Sequence, residues 1–266
     1  MCELFAMSAG QPAEVGDSLL RLMPRGGEIG PHADGWGVAY YEGRGARVFK
    51  EPSPAAQSRL LPLLASHNLT SRAVIAHIRK ANPAVFGRAS ENTHPFEREW
   101  NGRSWVFAHN GKLPDLDRGD ACPSGRYRPL GDTDSELAFC LIMNALVRTA
   151  RAGQDRIPPD QLVGTIWPVV ETLAGLGEFN FILSDGEHLY AHAHTNLHVL
   201  HKRTKGGNVA LLATAPLTDE PWRRLPAGTI HVFAGGVEIG VPHWTAGPAL
   251  PVMGLMQAAH GARMVC

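Results

Sequence analysis

The sequence predicts an α+β chain in which helices are segregated from sheets, and three observations carry that reading. Strand-like runs come first, two helical segments follow, and four or five further strand-like runs complete the order, which is not the alternation of βαβ units. Gly 29 and Pro 20 are too many for a helical bundle and suit a loop-rich chain. With 266 residues, 44% hydrophobic and 19% charged, the chain can bury one sizeable core or two small ones and is not intrinsically disordered.

The elements follow in order. Cys2 to Ala9 reads as a short buried strand, and Pro12 to Met23 as a weakly amphipathic helix with Pro at its start and Arg25-Gly26-Gly27 at its end. Gly35 to Tyr41 and Ala46 to Lys50 form a hairpin around Glu42-Gly43-Arg44-Gly45. Ser53 to Ser66 is helical with Pro62 as a limit or kink. Arg72 to Arg79 and Arg103 to His109 are apolar strand runs, and Glu91 to Phe96 is a loop. The strongest helix begins near Thr133, where Thr133-Asp134-Ser135-Glu136 fits a capping box ahead of an apolar stripe reaching Val147. A second helix covers Asp160 to Leu173 around Pro168. Strands are expected at Phe179 to Ser184, His188 to His194, Leu197 to His201, Val209 to Thr214 and Thr229 to Phe233, with Asp185-Gly186 and Thr195-Asn196 as turns. One domain is expected over residues 2–240, and residues 241–266, rich in Pro, Gly and Ala, form an extension without a period of its own.

Charge and composition exclude several functions. Lys+Arg 25 against Asp+Glu 25 leaves no cationic excess for a phosphate backbone, so no nucleic-acid partner is expected. No run approaches the roughly 18 apolar residues of a membrane span, and the start has Glu3 where an export signal wants basic residues, so the cytoplasm is expected and a membrane is not. Cys2, Cys122, Cys140 and Cys266 lack paired spacing, which argues against a zinc ribbon or a disulfide framework. His192 and His194 share a strand face without a third ligand nearby, so no metal site is expected, and no cofactor motif occurs.

Four places could carry chemistry. Cys2 follows the initiator methionine; removal of Met1 would leave a thiol and a free α-amine on one residue, the amine titrating near roughly 7.7–8.0 and the thiol near roughly 8.5. Such an amine can serve as the base that activates its own nucleophile. On position alone, the favoured reading of Cys2 is a small buried residue of the first strand. His109-Asn110-Gly111 reads first as a tight turn after a strand, and the same pair can aim an amide and a backbone N–H at one oxyanion. Arg79 at a strand end is a cap or ion-pair partner, or a fork for a carboxylate. Asp134 complements the helix dipole, or binds an ammonium group.

The order of these pieces is more specific than any one of them. Met1-Cys2-Glu3-Leu4, Asp34-Gly35-Trp36-Gly37, His77-Ile78-Arg79, Asn92-Thr93-His94-Pro95-Phe96, His109-Asn110-Gly111, Gly131 to Glu136 and Asn180 to Gly186 together resemble the class II glutamine amidotransferases of the N-terminal-nucleophile (Ntn) hydrolase superfamily, and look most like its YafJ-like stand-alone members. The resemblance covers roughly nine-tenths of the chain. It implies a four-layer αββα sandwich of two antiparallel sheets flanked by helices. It implies Cys2 as nucleophile, Asn110 and Gly111 as oxyanion hole, Arg79 on the substrate α-carboxylate and Asp134 on its α-amine, with Asp34, His94 and Trp36 in the surrounding substrate-binding shell. Glutamine would be cleaved to glutamate and ammonia through a Cys2 thioester, without a cofactor. After Arg79 the chain reads Lys80-Ala81-Asn82-Pro83, whereas the synthase-linked members carry Trp, Ala, Thr and His. No second domain remains to consume ammonia, which implies a separate ammonia-accepting synthase as partner or another γ-glutamyl substrate. The alternatives are a γ-glutamyl-conjugate hydrolase, as in the ergothioneine pathway, or a non-catalytic binding module that keeps Met1.

Overall fold

Alternation along the first strand sets the layers. β1 (Glu3–Glu14) sends Leu4 and Ala6 to one face and Phe5, Met7 and Ala9 to the other, and each set joins a different core. The computed structural model describes residues 2–67, 69–81, 87–116, 125–149 and 156–240. The expected extension at 241–266, and Cys122 and Cys266, lie outside the described residues.

One sheet has seven strands in the order β11-β9-β10-β1-β4-β2-β3, using β2 (Trp36–Glu42), β3 (Gly45–Glu51), β4 (Thr70–Ile78), β9 (His198–Thr204), β10 (Gly207–Ala213) and the two-residue β11 (Arg223–Arg224). The other has six, β13-β12-β8-β7-β6-β5, with β5 (Phe96–Trp100), β6 (Arg103–Lys112), β7 (Glu178–Ser184), β8 (His188–Ala193), β12 (Thr229–Ala234) and β13 (Val237–Ile239). Every described strand pair is antiparallel. Small and aliphatic side chains (Leu4, Ala6, Ile75, Ala108, Ile182, Leu212) fill the space between the sheets. Helices α1 (Gly16–Leu22) and α2 (Leu60–Ser66) cover the outside of the first sheet, and α3 (Asp134–Thr149) and α4 (Pro159–Ala174) the outside of the second. The result is an α+β, four-layer αββα sandwich. On the α3 side the packing is aromatic, with Phe107 stacked on Phe139 at 5.1 Å. No helix of the described residues is long and apolar enough to cross a membrane.

Four local expectations need correction. β1 continues to Glu14, so the first helix starts at Gly16 rather than Pro12; Pro12 falls in a register shift between Ser8 and Ala13, where the ladder asks for no N–H. The segment from Ser53 is one short 3-10 turn, Ala55–Gln57, and then α2, whose start is fixed by Ser58 Oγ accepting from Leu60 and Leu61 N–H (3.1 and 3.0 Å) and which holds Pro62 in its first turn. Phe96 belongs to a strand, β5, joined to β6 by Asn101-Gly102, both at positive φ. Asn110-Gly111 is not a turn: both residues lie inside β6, opposite Asn180 and Phe179 of β7.

The capping box is half formed. Thr133 Oγ1 accepts from Glu136 N–H at 3.2 Å, but the buried Glu136 carboxylate does not return to Thr133. It accepts instead from Gly131 N–H (2.7 Å) and from the Arg98 guanidinium (2.5 Å), tying the α3 start to β5. His192 and His194 serve as staples between β8 and β7: His192 Nδ1 donates to Phe179 O (2.6 Å), and His194 Nδ1 accepts from Phe179 N–H (3.0 Å).

Candidate active site

The candidate site is a corner where strand ends from both sheets meet the start of α3. Cys2 immediately precedes β1, whose Glu3 pairs with Ile78, the last residue of β4, so Arg79, just beyond that strand, comes level with the cysteine. Lys80 N–H donates to Cys2 Sγ at 3.3 Å, and the thiol in turn lies 3.6 Å from Lys80 O. From the facing sheet, Asn110 Nδ2 donates to the Cys2 carbonyl oxygen. Three residues beyond Asn110, Leu113 N–H donates to Asp134 Oδ2 at 2.7 Å, which seats the first helical carboxylate against the same strand end.

Burial pushes the Cys2 thiol above its ordinary pKa; the Lys80 N–H and the Arg79 charge pull it back, and the Asp134 charge adds to the rise. A thiol so placed ionises only with help from a nearby base.

Arg79 is 4% exposed, and among the described residues its guanidinium finds only a long hydrogen bond, 3.4 Å to the Asp34 carbonyl oxygen. Burial lowers its pKa, while the charges of Cys2 and Asp34 act in the opposite direction. The Asp34 carboxylate is committed elsewhere, to Ala81 N–H (2.9 Å) and Arg88 Nε (3.3 Å). Asp34 thus holds the segment after Arg79 in place rather than neutralising Arg79. Asp134 is less open: Oδ2 has Leu113 N–H, and Oδ1 has Ser135 N–H at 2.8 Å. The Ser135 hydroxyl also lies 3.3 Å from Oδ1, but its single proton goes to His109 Nδ1, so each carboxylate oxygen still retains a lone pair.

Gly111 has φ +155 and no room for a side chain: a Cβ there would fall 1.8 Å from Glu178 O. The same close approach explains Gly37, whose Cβ would meet His94 O at 2.3 Å. Trp36 does not join the corner. Its indole is 1% exposed in the core under α1 and α2 and donates to Glu51 Oε2 at 2.9 Å. His94 is buried between His77 (4.2 Å) and Phe96 (4.5 Å), and neither ring nitrogen has a hydrogen-bond partner among the described residues.

Behind the corner stands a polar scaffold built from both sheets and the start of α3. His77 Nε2 donates to His109 O (3.1 Å) across the two sheets. His109 Nε2 donates to Glu178 O (2.9 Å), which leaves Nδ1 to accept from Ser135 Oγ (2.8 Å) beside Asp134. Asn180 Nδ2 donates to Asn110 O (3.1 Å) and Thr195 Oγ1 (2.8 Å), while its Oδ1 accepts from His194 and Thr195 N–H. His77, His109, Ser135 and Asn180 lie within the motifs that carry the family resemblance, but the sequence offers no partner for them. Desolvation keeps the histidines neutral: His77 is lowered to about 3, and His94 and His109 are lowered too. Among the described residues no group of three His, Cys, Asp or Glu stands together as a metal site.

A cysteine heading the central strand of an αββα sandwich is the architecture of Ntn-type hydrolases, and comparison with known proteins agrees. The family model of class II glutamine amidotransferases matches residues 1–208. YafJ of Escherichia coli (strain K12) is 37% identical over 263 residues, covering 90% of this chain and all of that protein. A crystal structure from Pseudomonas aeruginosa PA01, of a protein predicted to be a glutamine amidotransferase, aligns with TM-score 0.68 at 33% identity over 90% of this chain and 100% of that one. Glutamine phosphoribosylpyrophosphate amidotransferase from B. subtilis shares the fold, with TM-score 0.64 at 18% identity, over 90% of this chain and 48% of that larger one. The chain belongs to the class II glutamine amidotransferases.

Proposed function

We propose that the chain, once Met1 is removed, hydrolyses the γ-amide of glutamine through a thioester on Cys2. The observation that carries this reading is the convergence on one residue, Cys2, of a backbone donor to its sulfur, the charge of a buried arginine and the Asn110 amide at its carbonyl oxygen. The α-amine of Cys2 takes the thiol proton, which the raised thiol pKa makes necessary. Sγ then attacks the γ-carbonyl carbon. One Asn110 N–H is already used by the Cys2 carbonyl; the second, with Gly111 N–H, meets the developing oxyanion. The ammonium returns its proton to the leaving NH₂ group, ammonia departs, and water attacks the thioester with the same amine as base, releasing glutamate. Arg79 holds the α-carboxylate and Asp134 the α-amine through its remaining lone pairs. Asp34 and His94 support the Arg79 segment. The ammonia acceptor is a separate synthase, and the compartment is the cytoplasm, where a reduced thiol persists.

Cys2→Ala tests the nucleophile. Glutamate release should fall by at least roughly 10³-fold with an unchanged unfolding midpoint; undiminished release refutes the assignment. Mass measurement of the active protein tests the base, because a retained methionine on turning-over enzyme removes the α-amine from the mechanism.

A further inference from the structure

The Ser135 hydroxyl stands between two acceptors. Its Oγ lies 2.8 Å from His109 Nδ1 and 3.3 Å from Asp134 Oδ1, and its one proton can serve only one of them. The choice is made on the far side of the imidazole. His109 Nε2 faces Glu178 O at 2.9 Å, and a carbonyl oxygen only accepts, so the ring proton is on Nε2 and Nδ1 is a bare lone pair. The ring is held in that orientation. It is 1% exposed and edge-on to Phe179, with centroids 5.1 Å apart, and His77 Nε2 donates to the His109 carbonyl (3.1 Å). Burial keeps the ring neutral although the Asp134 charge pulls its pKa upward.

The consequence falls on Asp134. Oδ1 accepts from Ser135 N–H (2.8 Å) and Oδ2 from Leu113 N–H (2.7 Å), which leaves one lone pair on each oxygen. Asp134 is partly exposed and His109 is buried, so substrate reaches the carboxylate and not the ring. If Nδ1 were no acceptor, the hydroxyl would turn to Oδ1 and fill a lone pair that a substrate ammonium needs.

We propose that His109 is a positioning residue for substrate selection: by engaging the Ser135 hydroxyl it keeps Asp134 Oδ1 open for the substrate α-ammonium, and so favours γ-glutamyl amides with a free α-amine over those without one. This rests on the reading of Asp134 as the group that binds that amine.

The test is the ratio of kcat/KM for glutamine to kcat/KM for glutaramate, which has no α-amine. His109 also reaches Gly111 through Glu178 O, but that effect acts on both substrates and cancels in the ratio. His109→Leu removes the acceptor and should lower the ratio about 5-fold. Adding Ser135→Ala removes the competing hydroxyl and should return the ratio to within roughly two-fold of wild type, a recovery that loosened packing would not give. His109→Gln, which offers an oxygen to Ser135 and an amide N–H to Glu178 O, should also stay within roughly two-fold. A second measurement needs no change at His109. In ¹⁵N-histidine spectra of the full chain, Ser135→Ala should move one bare ring nitrogen downfield, and the partner nitrogen of that ring should carry the proton. The proposal is overturned if His109→Leu leaves the ratio unchanged, if Ser135→Ala does not restore it, or if Ser135→Ala moves no bare ring nitrogen. A ratio unchanged in Asp134→Asn would overturn it together with the Asp134 reading. A ratio lowered in Asp134→Asn but unchanged in His109→Leu would overturn the role of His109 alone.

Discussion

The two ends of β6 hold polar clusters of opposite character. At the Arg103 end every charge faces its complement, and Asp185 collects His188 and Glu187 N–H as well as the Arg103 fork. Burial opposes ionisation of Asp185, but the His188 ring and the His188 and Glu187 N–H donors outweigh it and hold its carboxyl below the usual range. At the Asn110 end bonding capacity is left over. Among the described residues, Arg79 has one long side-chain hydrogen bond, Asn110 Oδ1 has no hydrogen-bond partner, and the His94 ring nitrogens have none. A closed charge cluster stabilises a fold; unmet capacity beside a nucleophile costs stability and is kept where a ligand completes it.

The sharpest way to break this contrast is to remove one arginine from each end. Arg103→Met leaves Asp185 charged and buried, so unfolding free energy should drop by about 3–5 kcal/mol while glutamine turnover per folded molecule stays within roughly two-fold. Arg79→Gln should do the reverse: kcat/KM for glutamine falls by about 10²–10³-fold, and stability changes by less than about 1 kcal/mol. Urea unfolding and glutamate release read both variants. A large stability loss at Arg79 with intact turnover would mean that the corner is closed in the same way as the far end.

Acid should separate the ends next. A histidine buried neutral binds its proton in the unfolded chain near pH 6.5 but not in the fold, so its contribution is complete above that value and fades as the pH falls toward the folded pKa. For His77 that window runs from 6.5 down to about 3, and for His192 down to about 4; His94 and His109 act in the same direction. Asp185, held low, contributes above its ordinary carboxylate pKa of 3.8 and loses that only as the pH falls through its still lower folded value. Unfolding free energy should therefore be flat between about pH 7 and 8 and decline below 6.5 by up to about 1.4 kcal/mol per pH unit for each buried histidine. His77→Gln should reduce the slope by close to one proton. A stability curve level down to pH 4.5 would contradict the neutral-histidine scaffold.

The contrast also explains what the sequence disclosed. Period-two alternation, the Thr133 start and the Gly-Pro punctuation were enough for the hairpin β2–β3, for α3 and α4, and for the strands from β7 to β10, because each is decided by neighbours along the chain. β5 was hidden because Glu97, Arg98 and Glu99 break its apolar pattern, and those charges are answered only across space, Arg98 by Glu136. Asn110-Gly111 was read as a turn because a local rule says so, and Gly111 is dictated instead by a carbonyl 67 residues on, at Glu178. Trp36, grouped with the corner by its place in a motif, faces the helices because Asp34-Gly35 leads into β2 with that register. Cys2, Arg79 and Asn110 carried chemical types that invited a role, whereas His77, Ser135 and Asn180 acquire theirs only through partners on other elements.

The smallest expected difference concerns Asp134, which combines traits of both ends. Its oxygens accept from Leu113 and Ser135 N–H, as a structural cap would, and keep lone pairs toward the corner. Asp134→Asn retains one acceptor oxygen, so stability should fall by about 0.5–1.5 kcal/mol. If Asp134 also holds the substrate ammonium, kcat/KM for glutamine should fall about 10-fold more than for glutaramate, which has the γ-amide and carboxylate but no α-amine. Thr133→Ala is the control, since it loosens the same helix start through Glu136 N–H and leaves the carboxylate in place; it should lower both substrates equally. Equal loss for both substrates in Asp134→Asn would assign this carboxylate to the helix alone, and leave Arg79 as the single charge at the corner with which to orient glutamine.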